Sequence, residues 1–296
     1  MKKLIIFLLY IYIGGFLQLS EMITKDLILY AKEDIPFSEY YRYKPNFMKV
    51  YFKDGCKLYG YWDSVYTPVD SPANVYKGYT NELDNLPEGK LIPMISGFSP
   101  DDSQHDVRQR LQLHLDIIDE YNNIEFVLLH DEPRHKGLSV ELLEMIVDEA
   151  KKIKPNYRYA FTFSRGNARN ADLPSNIDIV GINFYPFYYQ SYYPQRHFTT
   201  KQQFNDHLSS TIRSVKSKVK NAEIFIVGQG FYDESKYRKP PVESALWYAE
   251  FAKKSEEVVG LLWFEWRDRQ NWKGTRSIAD LYELQKEAFR LLCRKK

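Results

Sequence analysis

Residues 130–133 read His-Asp-Glu-Pro, two adjacent carboxylates followed by a proline. Carboxylates give and take protons, or attack electrophilic carbon, once their surroundings have set their pKa. Glu132 needs a raised pKa to act as an acid near neutral pH. Aromatic neighbours such as Trp263 and Tyr185 would supply it by desolvation, and Asp131 by like-charge repulsion. A salt bridge to Arg134, Arg165 or Arg267 would do the opposite. Other polar and aromatic groups stand in the same relation to apolar runs. Asp63 follows Leu58–Trp62, and Ser164-Arg165 follow Tyr157–Phe163. Asn183 and Tyr185 close the run from Ile177, and Gln229 closes Glu223–Gly228 with Tyr232-Asp233 just beyond. Glu265-Trp266-Arg267-Asp268 follow Val258–Phe264. Each alone reads as an ordinary solvated loop start. Six on one rim of a sheet would make a site. His130 reads as a strand-end spacer and Trp62 as packing.

The elements that would position them alternate. Phe126–Leu129 is continuously apolar, as in a strand covered on both faces, and Pro133 cannot continue its ladder. Strands are predicted at Leu27–Tyr30, Leu58–Asp63, Leu91–Phe98, 124–130, Tyr157–Phe163, Ile177–Tyr185, Glu223–Gly228 and Val258–Phe264. Pro93 counts against the third. Helical spacing marks Val107, Leu111, Leu115 and Ile118, then Leu138–Ile153, Phe204–Val219, the segment after Pro240-Pro241, and Ile278–Cys293. Residues 31–53 give no clear element, and 64–89 read as a long loop. Eight strands with helices between most of them predict an α/β fold, a single-domain (β/α)8 TIM barrel over residues 21–296. A doubly wound open sheet is the alternative. No GxGxxG or GxxxxGK motif follows a strand, which weakens it.

The 296 residues suffice for one large core, and 41 basic against 39 acidic residues give a net charge of +2. That balance offers nucleic acid no basic surface, and no nucleic-acid partner is expected. Met1-Lys2-Lys3 and the apolar run Leu4–Leu19 predict a signal peptide or membrane anchor over residues 1–20. The protein is therefore expected to be exported, touching a membrane only through that segment if it is uncleaved. Cys56 and Cys293 have no metal-site spacing, and neither metal nor organic cofactor is expected. In a barrel both would fall on the N-terminal face, so a disulfide between them stays open.

Four of the strand ends resemble the large clan of retaining (β/α)8 glycoside hydrolases. Leu129-His130-Asp131-Glu132-Pro133 is similar to its strand 4, which ends Asn-Glu-Pro with the Glu as acid/base. Ile179–Pro186 resembles its strand 6, where a Tyr lines the site. Ile226–Phe231 stands where its strand 7 carries the nucleophilic Glu, and Leu262–Trp266 resembles its strand 8, whose Trp is a sugar platform. The resemblance spans roughly residues 90–270 and implies action on carbohydrate, with Glu132 as general acid/base; the chain is expected to be a monomer. Asp131, Asn183, Tyr185, Gln229 and Trp266, with Asp63 from the strand-end pattern, are the candidate substrate contacts. Two departures matter: Asp131 replaces Asn, and the neutral amide Gln229 cannot form a glycosyl ester. Three explanations stay open. The second carboxylate is Glu265 or Asp268, giving inversion; or a 2-acetamido group of the substrate replaces it, oriented by Gln229; or the chain is a carbohydrate-binding protein without catalysis.

Overall fold

The computed structural model describes residues 46–51, 57–62, 89–95, 97–119, 124–192, 200–265, 268 and 271–293. All of them belong to one compact unit, Pro45–Lys296. The expected leader, the strand at Leu27–Tyr30, Cys56, Asp63 and Trp266 lie outside the described residues, as does the side chain of Cys293.

Among the described residues eight strands form the main sheet: β1 Asn46–Tyr51, β2 Leu58–Trp62, β3 Gly89–Met94, β4 Val127–Asp131, β5 Tyr159–Ser164, β6 Ile179–Phe184, β7 Glu223–Gln229 and β8 Val258–Phe264. Among the described residues six α-helices accompany them: α1 Gln104–Ile118, α2 Val140–Ile153, α3 Arg165–Asn170, α4 Lys201–Lys218, α5 Ser244–Lys254 and α6 Ala279–Cys293. Among the described residues no helix is long and apolar enough to cross a membrane.

Seven strands run parallel in a curled sheet of order β2-β8-β7-β6-β5-β4-β3. The expected eighth parallel strand is not what completes the order. β1 pairs antiparallel with β2 on one side and with β3 on the other. The reason is chain length. A parallel pair needs a crossover of a dozen or more residues, and only six residues separate the end of β1 from the start of β2. β3 tolerates Pro93, which has no N–H to give, and its described ladder with β4 is the single pair Met94↔Leu128.

Strand alternation sorts the core into two layers. Leu128, Ala160, Ile179, Phe225, Val227 and Leu262 pack together on the concave face. Val127, Tyr159, Val180, Ile224 and Leu261 pack outward with the helices. α2 shows the matching pattern. Leu142, Leu143, Ile146, Val147 and Ala150 face in, and the Ser139 hydroxyl accepts from Leu142 N at 3.2 Å to cap its start. Burying each such aliphatic side chain contributes about 1.5–3 kcal/mol.

One irregularity in this alternation sets up the site. β4 pairs with β5 as Leu128↔Ala160, then His130↔Phe161 and Asp131↔Thr162, so one extra residue is accommodated at Leu129. Strict alternation from Leu128 would turn His130 inward and Asp131 outward. The bulge exchanges them, as bulges re-aim side chains. His130 goes outward, buried beside Phe98 at 6.5 Å between ring centroids. Asp131 joins Thr162 on the concave side.

Candidate active site

Beyond the inner core, at the C-terminal ends of the strands, lies a cavity of about 620 Å³. Its floor carries Asp131, Glu132 and Asn183, and its walls include Tyr185, Tyr237, Phe264 and Trp272. The polar floor follows from the strand pattern. Thr162 shares a face with Ala160, and Asn183 and Tyr185 share a face with Ile179, so the parity that packs the core below presents polar groups above.

Asn183 links the two carboxylates. Its Nδ2 donates to Glu132 Oε1 at 2.9 Å and to Asp131 Oδ1 at 3.1 Å. The Thr162 hydroxyl donates to the same Asp131 oxygen. The two carboxylate oxygens therefore lie no farther apart than two hydrogen bonds end to end, on one side of the cavity. The buried Oδ1 of Asn183 has no hydrogen-bond partner.

Glu132 reaches this position through an unusual backbone. Its φ of 49° and ψ of 52° are left-handed, and it is the one non-glycine residue with positive φ among those described. Such a conformation costs on the order of 1–3 kcal/mol and is kept where the surroundings over-determine it. Here the Glu132 N–H donates to Thr162 O at 2.9 Å. Pro133 then opens a short 3-10 helix, Pro133–Lys136.

Burial raises the pKa of Asp131, against the lowering effect of the bonds from Thr162 and Asn183. Burial also raises Glu132; the Asn183 bond opposes it and the charge on Asp131 adds to it. Arg134 does not pair with Glu132; it donates to Leu138 O at 2.6 Å. The contact across the rim is instead His135, whose Nε2 is 3.5 Å from Glu132 Oε2 and 3.0 Å from the Ser164 hydroxyl. Burial pushes His130 below its ordinary value.

The aromatic wall is continuous. Tyr185 stacks on Phe264 at 5.8 Å and meets Phe231 edge-on at 5.3 Å. Phe231 in turn stacks on Trp272 at 4.7 Å. Burial drives the Tyr185 hydroxyl well above its usual pKa, with Asp131 and Glu132 adding to the effect. A ribbon pairing Tyr232–Asp233 with Trp272–Lys273 holds this wall together. Trp62 is buried beneath it, edge-on to Phe264 at 5.8 Å.

Three expected site residues lie elsewhere. Gln229 does not line the cavity. It is fully buried, and its side chain is spent on backbone: Oε1 accepts from Phe187 N at 3.0 Å, and Nε2 donates to Phe231 O at 3.1 Å and Arg238 O at 3.2 Å. It pins two loops behind the wall. Glu265 is buried, bonded through its carbonyl to Thr275 N at 2.9 Å, and the cavity wall at the end of β8 is Phe264. Asp268 accepts from Gly274 N at 2.9 Å and the Ser277 hydroxyl at 2.6 Å, which commits it to its own loop. Thr162, Lys236, Tyr237 and Trp272 were not singled out in the sequence. Thr162 has a signal, its parity with Ala160; Lys236 and Tyr237 come from a loop and Trp272 from a two-residue strand, too short for a periodicity to be read. Among the described residues no three His, Cys, Asp or Glu side chains are grouped to hold a metal.

No family model and no curated sequence matches the chain. Among the solved structures it resembles are glycoside hydrolases. A β-D-glucuronidase from Dictyoglomus thermophilum aligns at 10% identity and TM-score 0.45, over 62% of this chain and 35% of that one. A GH128 endo-β-1,3-glucanase from Amycolatopsis mediterranei aligns at 13% identity and TM-score 0.43, over 64% and 80%. A chitinase catalytic domain from Pyrococcus furiosus aligns at 11% identity and TM-score 0.44, over 64% and 68%. The chain thus spans about a third of the length of the glucuronidase. Likeness at this level fixes neither reaction nor substrate.

Proposed function

We propose that this chain hydrolyses a glycosidic bond, with Glu132 as the proton donor to the departing oxygen. The observation that carries the reading is the Asn183 bridge, which presents Glu132 and Asp131 together beneath an aromatic-walled cavity. Glycosidic oxygen leaves poorly unless protonated, so the acid must hold its proton near neutral pH. Burial of Glu132 and the charge of Asp131 both favour that. The aromatic faces suit the apolar face of a sugar ring.

Asp131 favours a particular second partner. It flanks the acid, bridged to it through one amide. A carboxylate beside the acid is suited to steadying a group on C2 of the ring. A 2-acetamido group held there would attack the anomeric carbon through its own carbonyl oxygen, forming a cyclic intermediate that water opens. Asp131, rather than Gln229, would orient it.

The test is hydrolysis of a panel of aryl glycosides and polysaccharides that includes matched 2-acetamido and 2-hydroxy sugars. Glu132→Gln is expected to lower turnover about 10²–10⁴-fold. Faster cleavage of the 2-hydroxy member would remove the acetamido reading alone. Glycan binding with no cleavage anywhere in the panel would make the chain a binding protein and overturn the enzyme.

A further inference from the structure

The two carboxylates share their cavity with cations. Lys236 and Arg165 both line it. The loop carrying Lys236 is held firmly. Asp233 Oδ1 accepts from Ser235 N at 2.8 Å and Tyr237 N at 2.9 Å, and from the Lys236 N–H between them. The carbonyl of Lys236 accepts from Tyr189 N at 3.1 Å, and Tyr188 bridges to Tyr237. The ammonium lies 4.9 Å from the centroid of Tyr237 and 5.6 Å from that of Tyr192. Ring faces attract a cation without neutralising it. Among the described residues no carboxylate forms an ion pair with Lys236 within 4.0 Å.

Lys236 therefore presents to the cavity a charge that no carboxylate of the described residues pairs with. We propose that the cavity takes a glycan bearing an anionic group, a carboxylate or a sulfate ester, that pairs with Lys236. This rests on the reading of the cavity as a glycan site and adds the charge of its substrate. The pairing has a chemical consequence. Lys236 lowers the pKa of Glu132. An anion on Lys236 cancels that influence, so binding the right glycan helps Glu132 keep the proton it must deliver. Substrate charge and acid strength are then linked, each favouring the other.

The test uses the full chain carrying Glu132→Gln, which binds without turnover, on an array of neutral, uronate-bearing and sulfated glycans. Retention is expected to favour acidic glycans at least tenfold and to weaken as salt is raised. Adding Lys236→Met should lower the acidic-to-neutral ratio about tenfold, while Lys236→Arg should keep it. Comparison of the uronate and sulfate members identifies which anion is read. Equal retention of neutral and acidic glycans, or a ratio unmoved by Lys236→Met, overturns the proposal and leaves the glycan site standing. Retention of no glycan overturns both.

Discussion

An acid that must hold its proton near neutral pH has to sit where ionisation is costly, and both floor carboxylates do. Burial raises Asp131 and Glu132 above their ordinary values. If Glu132 is the proton donor, kcat/KM is highest below its raised pKa and falls as pH climbs through it. Lys236 opposes the raised value, so Lys236→Met should move that alkaline limb to higher pH; a limb that stays in place removes Lys236 from the environment of Glu132. The same burial bears on stability. A raised folded pKa means that the native state binds more protons than the unfolded chain. Stability from the two groups is fully present below about pH 4, where both states are protonated, and is lost as pH rises toward the folded values. Asp131→Asn removes that loss and keeps an acceptor for Thr162. It should raise the stability at pH 7 relative to pH 4, while lowering activity. Thermal unfolding at the two pH values decides this, and an equal change at both would mean that Asp131 ionises as freely in the fold as outside it.

The bulge in β4 and the loops around β7 show what the sequence made legible at the scale of elements. The apolar run Phe126–Leu129 announces a buried strand and Pro133 its end, because both signals are local. Nothing local announces the bulge at Leu129, since it is defined by pairing with Ala160, Phe161 and Thr162. The same limit explains Gln229. Its strand and position were readable, but its role depends on carbonyl oxygens brought from Phe231 and Arg238 by folded loops. Gln229→Glu follows from this. It would turn two amide donations into a buried carboxylate facing carbonyl oxygens, costing about 3 kcal/mol or more, with no gain of hydrolysis because the side chain does not line the cavity. New retaining activity in that variant would mean that Gln229 does reach the substrate. Gly181 is a second such point. A Cβ there would lie 2.3 Å from Phe225 Cζ and 2.5 Å from Thr162 Cγ2. Gly181→Ala should destabilise by about 1–3 kcal/mol and lower activity beyond that by displacing Thr162 from Asp131. Unchanged melting would show that Phe225 moves aside freely.

At the scale of the whole chain, the alternation of strands and helices after residue 90 was readable because each βαβ unit carries its own periodicity and breakers. Before it, β2 was legible at Leu58–Trp62, whereas β1 was not. Its residues, Asn46–Tyr51, lie in a tyrosine-rich segment with no two-residue alternation, and the strand is specified by partners distant in sequence. Its ladder with β3 runs over six pairs, Asn46↔Met94 to Tyr51↔Gly89, and that with β2 over three, Lys49↔Tyr61 to Tyr51↔Tyr59. Without β1 those two strands would present open edges, whose unpaired backbone groups invite pairing with other chains. The site depends on this through Trp62 at the end of β2, which supports Phe264 and hence Tyr185. A chain beginning at Pro45 holds every strand of the sheet and should unfold cooperatively. A chain beginning at Lys57 lacks β1. It should melt lower, self-associate through the exposed edges of β2 and β3, and lose activity although no cavity residue has been removed. Hydrogen exchange should locate the loss in β2 and β3 first. Equal melting of the two chains, with β2 and β3 equally protected, would show that the seven parallel strands hold their curvature unaided.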